Sequence, residues 1–489
     1  MAFREKNIRI FSNEDTITGI VPDLEGYHFG LIDLELEAVA ITKKPHLLYF
    51  TIDGSGSMDD KDRAGKSKMD YVHMTLKNIL RYVTKQQRLG SDVTIYICVD
   101  AFDADIIHVI EPTLITMDNE TTLIDKIYSI QPGDSTNIEI ALDNAKQRIE
   151  TYHFQNPNHK IFHIMLTDGE ANVGEQDIDI LKTKIGRESN ARQIFIGIGD
   201  EHNAIMLKGF SNHANSEYRF IDDGENCGIV YGEMLHSILY PAMENVAITI
   251  EHAELYDWKT NTWSSFLKET SYDSECKKTY HIRTKTPYMI ITKIIGLCND
   301  QYNTEETILY LHGMHAITPI DDMRFMKYLY RQRVLEMLYC HQPENREDGG
   351  DDVISDDLIL NGLRDQIANF MNTYHLNDDA FMKTLCQDIY ILRQTKNRSY
   401  ATMYCSARQQ SQGRQDSFTP RYRRRTSMHN PPPLRRCPRI CTPSHFSSTT
   451  LSPDDFDALD FYENDEQNDL LNLTPSRSQM INEISQSTD

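Results

Sequence analysis

The run Leu47-Leu48-Tyr49-Phe50-Thr51-Ile52 ends in Asp53-Gly54-Ser55-Gly56-Ser57, an apolar stretch that stops at one carboxylate and two hydroxyls spaced two residues apart. Gly54 and Gly56 let the backbone curl, so the three oxygen-bearing side chains can converge on one point. One carboxylate with two neutral hydroxyls suits a hard divalent cation that keeps some of its waters, as Mg²⁺ does. Two further segments carry the same kind of donor. Gly133-Asp134-Ser135-Thr136-Asn137 leads into a helical pattern, and the apolar run Ile161–Leu166 ends in Thr167-Asp168-Gly169-Glu170. Asp53, Ser55 and Ser57 are therefore candidate metal-binding groups, with Thr136 at a helix start and Asp168 at a second strand end as further groups of the same kind. None of them is a nucleophile beside a base, and no His lies in these motifs, so a catalytic role is not expected.

The order Asp-x-Ser-x-Ser, then Thr, then Asp resembles the metal-ion-dependent adhesion site of the von Willebrand factor type A (vWA) family. Each motif falls where the family has it: strand end, helix start, strand end. The resemblance covers about residues 44–241, where Phe102-Asp103, Ile196-Gly197-Ile198-Gly199 and Tyr218-Arg219-Phe220-Ile221 are similar to its later strands. It implies that Ser55, Ser57 and Thr136 bind the ion directly, while Asp53 and Asp168 act partly through water. The ion would be Mg²⁺, with Ca²⁺ or Mn²⁺ as alternatives. With few carboxylates on it, the ion keeps one position for an Asp or Glu of a protein partner. The wider layout is similar to vWA proteins of giant DNA viruses and protists. Two departures stand out: the acids Asp59 and Asp60 lengthen the turn after Ser57, and Asp134 precedes Thr136 by two residues. Aimed at the ion, they would make the site more anionic and favour Ca²⁺; the plainer reading is solvated loop acids.

The elements that must position these groups follow from periodicity. Continuous apolar, β-branched runs at His46–Ile52, Val93–Val99, Ile161–Leu166, Ile194–Ile198 and Tyr218–Ile221 suit strands covered on both faces. Between them Met69, Val72, Leu76, Ile79, Leu80 and Val83 step by three and four, and Asn137–Tyr152 and Glu175–Ile185 behave alike. Such alternation predicts an α/β, doubly wound, mostly parallel sheet over 44–241. Shorter strand-like runs flank it (Ile8–Phe11, Leu34–Ile41 and four between 242 and 316), so segment 7–43 is expected to pair with 242–316 in a small β-domain. Residues 320–400 read as a helical unit. Residues 408–489, rich in Arg, Ser, Gln and Pro and then in acids, read as a tail without fixed structure.

Charge narrows the partners. The chain carries −23 over 489 residues; residues 408–489 sum to −1 and the other 407 residues to −22. A body so acidic repels a nucleic-acid backbone, so such binding, or nuclear import, would have to use Arg421, Arg423, Arg424 and Arg425. No run approaches the ~18 apolar residues of a membrane helix. Met1–Ile10 has no apolar signal core, and nine Cys are scattered singly, which predicts an intracellular protein, cytoplasmic or nuclear, or of the virion or host cell if viral. Cys98, Cys298, Cys340 and Cys386 sit in apolar runs and are expected to be buried. A phosphate loop ending at Gly65-Lys66-Ser67 fails because its first Gly would be Asp60. Cys437, Cys441 and His445 lack a second ligand pair for zinc. The expected function is a metal-dependent interaction module or scaffold. The alternatives are a non-catalytic subunit of an ATPase- or ubiquitin-ligase-type complex, or a vWA scaffold without metal.

Overall fold

The computed structural model describes residues 3–62, 65–185, 190–199, 202–212, 215–222, 227–286, 290–300, 303–312, 314–315, 319–342, 353–394, 399–420 and 472–486. The chain opens with β1 (Phe3–Phe11), α1 (Glu14–Ile20) and β2 (His28–Leu36). The α/β region follows: β3 (His46–Asp53), α2 (Lys68–Arg88), β4 (Ile95–Phe102), β5 (Ile106–Leu114), α3 (Glu120–Tyr128), α4 (Ile138–Gln155), β6 (Lys160–Thr167), α5 (Ile178–Lys184), β7 (Ala191–Ile198), α6 (Ala204–Phe210), β8 (Ser216–Ile221) and α7 (Cys227–Leu239). Its sheet has the order β5-β4-β3-β6-β7-β8, parallel except for the antiparallel edge strand β5. All eight residues of β3 are buried. Leu48, Phe50 and Ile52 face Val72, Leu76 and Ile79 of α2, while Leu47 and Tyr49 face Ala145, Ile149 and Tyr152 of α4. That two-sided burial is why β3 reads as an unbroken apolar run. Ser67 caps α2 and exchanges bonds with Asp70, which fixes where that helix begins.

Strands β9 (Pro241–Glu251), β10 (Glu254–Asp257), β11 (Thr262–Ser264), β12 (Phe266–Asp273), β13 (Lys277–Thr284), β14 (Ile291–Asp300), β15 (Asn303–His312) and β16 (Met314–His315) form two further sheets. One has the order β11-β10-β13-β2-β1-β16, the other β12-β9-β14-β15. Strand β2 pairs antiparallel with β13 from His28↔Thr284 to Glu35↔Lys277, so the segments before and after the α/β region share a sheet. The strand runs His28–Leu36 rather than Leu34–Ile41. Gly30 and Asp33 disguise it as a loop. A Cβ on Gly30 would come within 2.8 Å of Ile282 Cγ1, so the close approach of β13 demands glycine. Asp33 is buried but takes Arg324 Nη1 at 2.7 Å and Thr279 Oγ1 at 2.9 Å.

Helices α8 (Pro319–Cys340), α9 (Val353–Tyr374), α10 (Ala380–Gln394) and α11 (Ser399–Arg414) follow, and α12 (Pro475–Ser485) ends the described chain. The expected structureless tail from 408 is corrected at both ends. α11 runs through 408 into the helical unit, with Arg408 fully buried against Asp388. Met480, Ile481 and Ile484 of α12 are buried against α2 and α7. Gly232 makes that docking possible, since a Cβ there would lie 2.7 Å from Ile481 Cα. Asn78 Nδ2 donates to the carbonyls of Ile484 at 2.7 Å and Gln486 at 3.0 Å, closing the helix end. Residues 421–471 lie outside the described residues. Among the described cysteines, Cys340 is exposed, against expectation, because it sits on the solvent side at the end of α8; Cys98, Cys298 and Cys386 are buried. Among the described residues no helix is long and apolar enough to cross a membrane.

Burial makes the fold acid-sensitive. His46 and His163 are enclosed, and burial pulls each ring down to about 4. An unfolded His takes its proton near 6.5. The folded pKa lies below the unfolded one, so this stability is whole above pH 6.5 and lost as pH falls towards 4, by roughly 3 kcal/mol per ring. Urea unfolding midpoints should fall steeply between pH 6.5 and 4.5, and His163→Gln should reduce the slope. An unchanged slope would remove His163 from the account.

Candidate metal site at the carboxyl edge of the sheet

Strand order reverses at β3: the chain steps outward to β4 and then returns to place β6 on the other side. The loops leaving β3 and β6 therefore diverge, and ligands of open α/β sheets bind in the crevice this opens. Asp53 ends β3, and Thr167-Asp168 ends β6. Asp53 Oδ2 accepts from Thr167 Oγ1 at 2.5 Å, and Oδ1 accepts from the Ser55 amide at 2.9 Å. The two strand ends are thus tied through a carboxylate with no exposure to solvent.

The turn after β3 brings the hydroxyls over. Ser55 Oγ lies 3.0 Å from Ser57 Oγ, and Ser57 Oγ donates to Asp168 Oδ1 at 2.8 Å. Ser55 Oγ stands 3.5 Å from the same oxygen. The third segment docks by backbone: the Gly133 amide donates to the Gly54 carbonyl at 2.5 Å, and the Gly54 amide to Phe102 at 2.8 Å. A Cβ on Gly56 would lie 3.1 Å from the Gly133 carbonyl, so these loops touch where glycine allows it. Thr136 is buried, its amide held by Asn172 Oδ1 at 2.8 Å, with Asn137 as the N-cap of α4. A Cβ on Gly169 would lie 3.7 Å from Thr136 Oγ1 and 3.9 Å from Ser57 Oγ, which puts both hydroxyls around one small volume. Asp53, Ser55, Ser57, Thr136 and Asp168 are therefore brought together.

The extra acids are not. Asp59, Asp60 and Asp134 are exposed, and Asp60 lies 3.8 Å from Lys68. The Arg421, Arg423, Arg424 and Arg425 cluster and the Cys437, Cys441 and His445 group lie outside the described residues. One site residue escaped the sequence reading. Lys68, the first residue of α2, places Nζ 2.5 Å from Asp168 Oδ2. No local signal marks it, because a Lys in a first helical turn ordinarily points to solvent.

The donor set fits a cation. Of the two buried carboxylates only Asp168 has an ammonium beside it, that of Lys68, and Asp53 has no cationic partner among the described residues. Burial pushes Asp53 up to about 6, against the Thr167 and Ser55 hydrogen bonds that hold it down. A positive charge entering here would offset that desolvation. The remaining donors are neutral hydroxyls, which suits a hard ion with retained waters rather than zinc in a Cys/His cage. Among the described residues no cluster of three or more His, Cys, Asp or Glu forms a metal site.

Residues 48–228 match the family model of the von Willebrand factor type A domain. Those residues form a vWA-type domain. Among solved structures, a von Willebrand factor type A protein from Catenulispora acidiphila aligns over 74% of this chain and 85% of its own, at 14% identity and TM-score 0.48. The ArnB paralog VWA2 from Sulfolobus acidocaldarius covers 79% and 90%, at 13% identity and TM-score 0.39. Proximal thread matrix protein 1 from the mussel byssus, in a form with a zinc-occupied MIDAS motif, aligns over 43% of this chain and 52% of its own, at 15% identity and TM-score 0.32. No curated protein matches the chain significantly. The vWA domain, a type commonly used for metal-dependent interactions, thus sits between a two-sheet β region and a helical unit that packs on its β8 and α6 side.

Proposed function

We propose that this chain is a metal-dependent interaction scaffold whose vWA face captures an acidic side chain of a protein partner through a divalent cation. The observation that carries the reading is the convergence of Asp53, Ser55, Ser57, Thr136 and Asp168 on one volume at the sheet's carboxyl edge. In it the hydroxyls of Ser55, Ser57 and Thr136 hold the ion. Asp53 and Asp168 hold those hydroxyls and supply charge. When bound, the ion supplies a Lewis-acidic position for a carboxylate. Mg²⁺ is the expected ion, with Mn²⁺ and Ca²⁺ as alternatives. The exposed positions of Asp59, Asp60 and Asp134 favour their reading as solvated acids over a strongly anionic Ca²⁺ cage.

The role is one of binding and not of catalysis: the site pairs no nucleophile with a base. No disulfide joins any of the seven described cysteines, six of them buried, which supports an intracellular setting. Contact with nucleic acid is assigned only to Arg421–Arg425, and a viral or protist origin rests on segment order alone. One observation favours a metal-free vWA scaffold instead: the Lys68 ammonium already on Asp168. Affinity capture with the full chain separates the two. Proteins retained in Mg²⁺ and released by EDTA are expected, and retention indifferent to EDTA would favour the metal-free scaffold.

A further inference from the structure

Asp168 presents its two oxygens to two different neighbours. Oδ1 faces the Ser55 and Ser57 hydroxyls, where the ion is assigned, while Oδ2 takes Lys68 Nζ at 2.5 Å. The lysine is placed there by the lengthened turn. Lys61 and Ser67 pair as an isolated bridge, Asp62 Oδ1 accepts from the Lys66 amide at 3.0 Å, and Tyr71 Oη donates to Asp62 Oδ2 at 2.5 Å. The Ser67–Asp70 capping box then fixes the first turn of α2, so the Lys68 stem starts beside the crevice. A Cβ on Gly199 would lie 3.4 Å from Lys68 Cε, so the stem crosses the end of β7 on its way to Asp168.

A dication among the hydroxyls and Oδ1 would sit close to this ammonium, in a crevice where Asp168 is wholly shielded from solvent. Like charges at such range repel strongly where water cannot screen them. The lysine has a second place to go. Asp60 Oδ2 already lies 3.8 Å from Nζ, and its side chain is 68% exposed, on the solvent side of the crevice. A four-carbon stem spans the change without moving the helix.

We propose that Lys68 is a resident counter-ion which holds Asp168 in the metal-free domain and gives way towards Asp60 when a divalent cation enters. Lys68 thereby sets how tightly the site holds its ion. The inference rests on the metal-dependent reading above and gives the lengthened turn a purpose: Asp60 is the lysine's alternative station and not a metal ligand. The consequence is a site that exchanges its ion readily, so that partner capture follows the free divalent concentration.

Calorimetric titration of Mg²⁺ and Mn²⁺ into the full chain tests this, beside Lys68→Met and Lys68→Arg, with thermal unfolding as the check on folding. Lys68→Met should bind both ions roughly tenfold tighter or more, while Lys68→Arg, which keeps the charge, should not gain. Amine acylation read by mass spectrometry supplies a second measure in the unmodified protein. Lys68 labelling should rise when Mg²⁺ replaces EDTA, as the ammonium leaves Asp168. Equal or weaker binding by Lys68→Met, or labelling that stays level or falls, overturns the proposal while the metal site stands; Lys68 would then only orient Asp168. If neither the wild type nor Lys68→Met binds either ion, both the proposal and the metal-dependent reading fail.

Discussion

Asp53→Ala is expected to lose Mg²⁺ while keeping its fold. The carboxylate sits at the end of β3 with both oxygens engaged, one by the Thr167 hydroxyl and one by the Ser55 amide. It therefore fixes the turn that carries the two serine hydroxyls as well as supplying charge. Groups that orient ligands in this way are worth roughly 10–100-fold in metal affinity. The fold should not depend on it. Burial makes the Asp53 charge unfavourable in the metal-free domain, and the apolar side chains of β3 stay packed against α2 and α4. Titration of Mg²⁺ with parallel thermal unfolding reads both effects. Asp53→Asn, which keeps an acceptor for Thr167, should also lose affinity and melt close to the wild type. Undiminished Mg²⁺ binding in Asp53→Ala and Asp168→Ala together would leave a vWA scaffold whose metal, if any, lies elsewhere.

The second large effect belongs to the helical unit. Arg408 and Asp388 form an ion pair in which neither side chain has any exposure. The guanidinium also donates to the carbonyls of Thr384 at 3.0 Å and Pro420 at 2.5 Å, and Gln412 Nε2 reaches Asp388 Oδ2 at 3.1 Å. Burial alone pushes the Asp388 carboxyl upwards, and Arg408 opposes it. Arg408→Ala strands that carboxyl in a dry core, which costs about 3–5 kcal/mol. Urea unfolding should show the loss, and limited proteolysis should then open α11. The double variant Arg408→Met with Asp388→Leu should recover most of the stability, because two apolar side chains need no partner. A loss below about 1 kcal/mol in Arg408→Ala would mean the pair is not buried as described.

These two residues mark the border between what is legible locally and what is not. Asp53 could be found from the chain alone. An apolar strand that ends in a carboxylate and a glycine-serine turn is a local pattern, and it recurs at Asp168 on β6. Periodicity likewise located the five parallel strands of the vWA domain, because two-sided burial forces a continuous apolar run; the antiparallel edge strand β5, mostly exposed, carries no such run and is missed. Arg408 could not be found in this way. In and just after α11 polar side chains are buried beside Met403, Tyr404, Cys405 and Ala407: Gln409 donates to the carbonyl of Trp258, and Gln415 exchanges bonds with the backbone of Thr279. Composition reads Arg and Gln as solvated, since it cannot know that carbonyls and a carboxylate wait for them across the fold. The sequence pattern misplaces β2 for a related reason: its Asp33 is satisfied by Arg324, a residue 291 positions away.

The same division runs through the site itself. The types and spacing of Asp53, Ser55, Ser57, Thr136 and Asp168 are properties of the sequence. Their convergence also needed strand order, which puts β6 beside β3 although α2, β4, β5, α3 and α4 lie between them in the chain. Only the tertiary structure separated the acids that face the crevice from Asp59, Asp60 and Asp134, which face water. It alone put Lys68 on Asp168, 100 residues away. Local sequence determines which chemical groups are present and the backbone that carries them; which charges meet is decided by packing, because an ammonium and a carboxylate distant in the chain carry no mutual signal until the sheet brings them together.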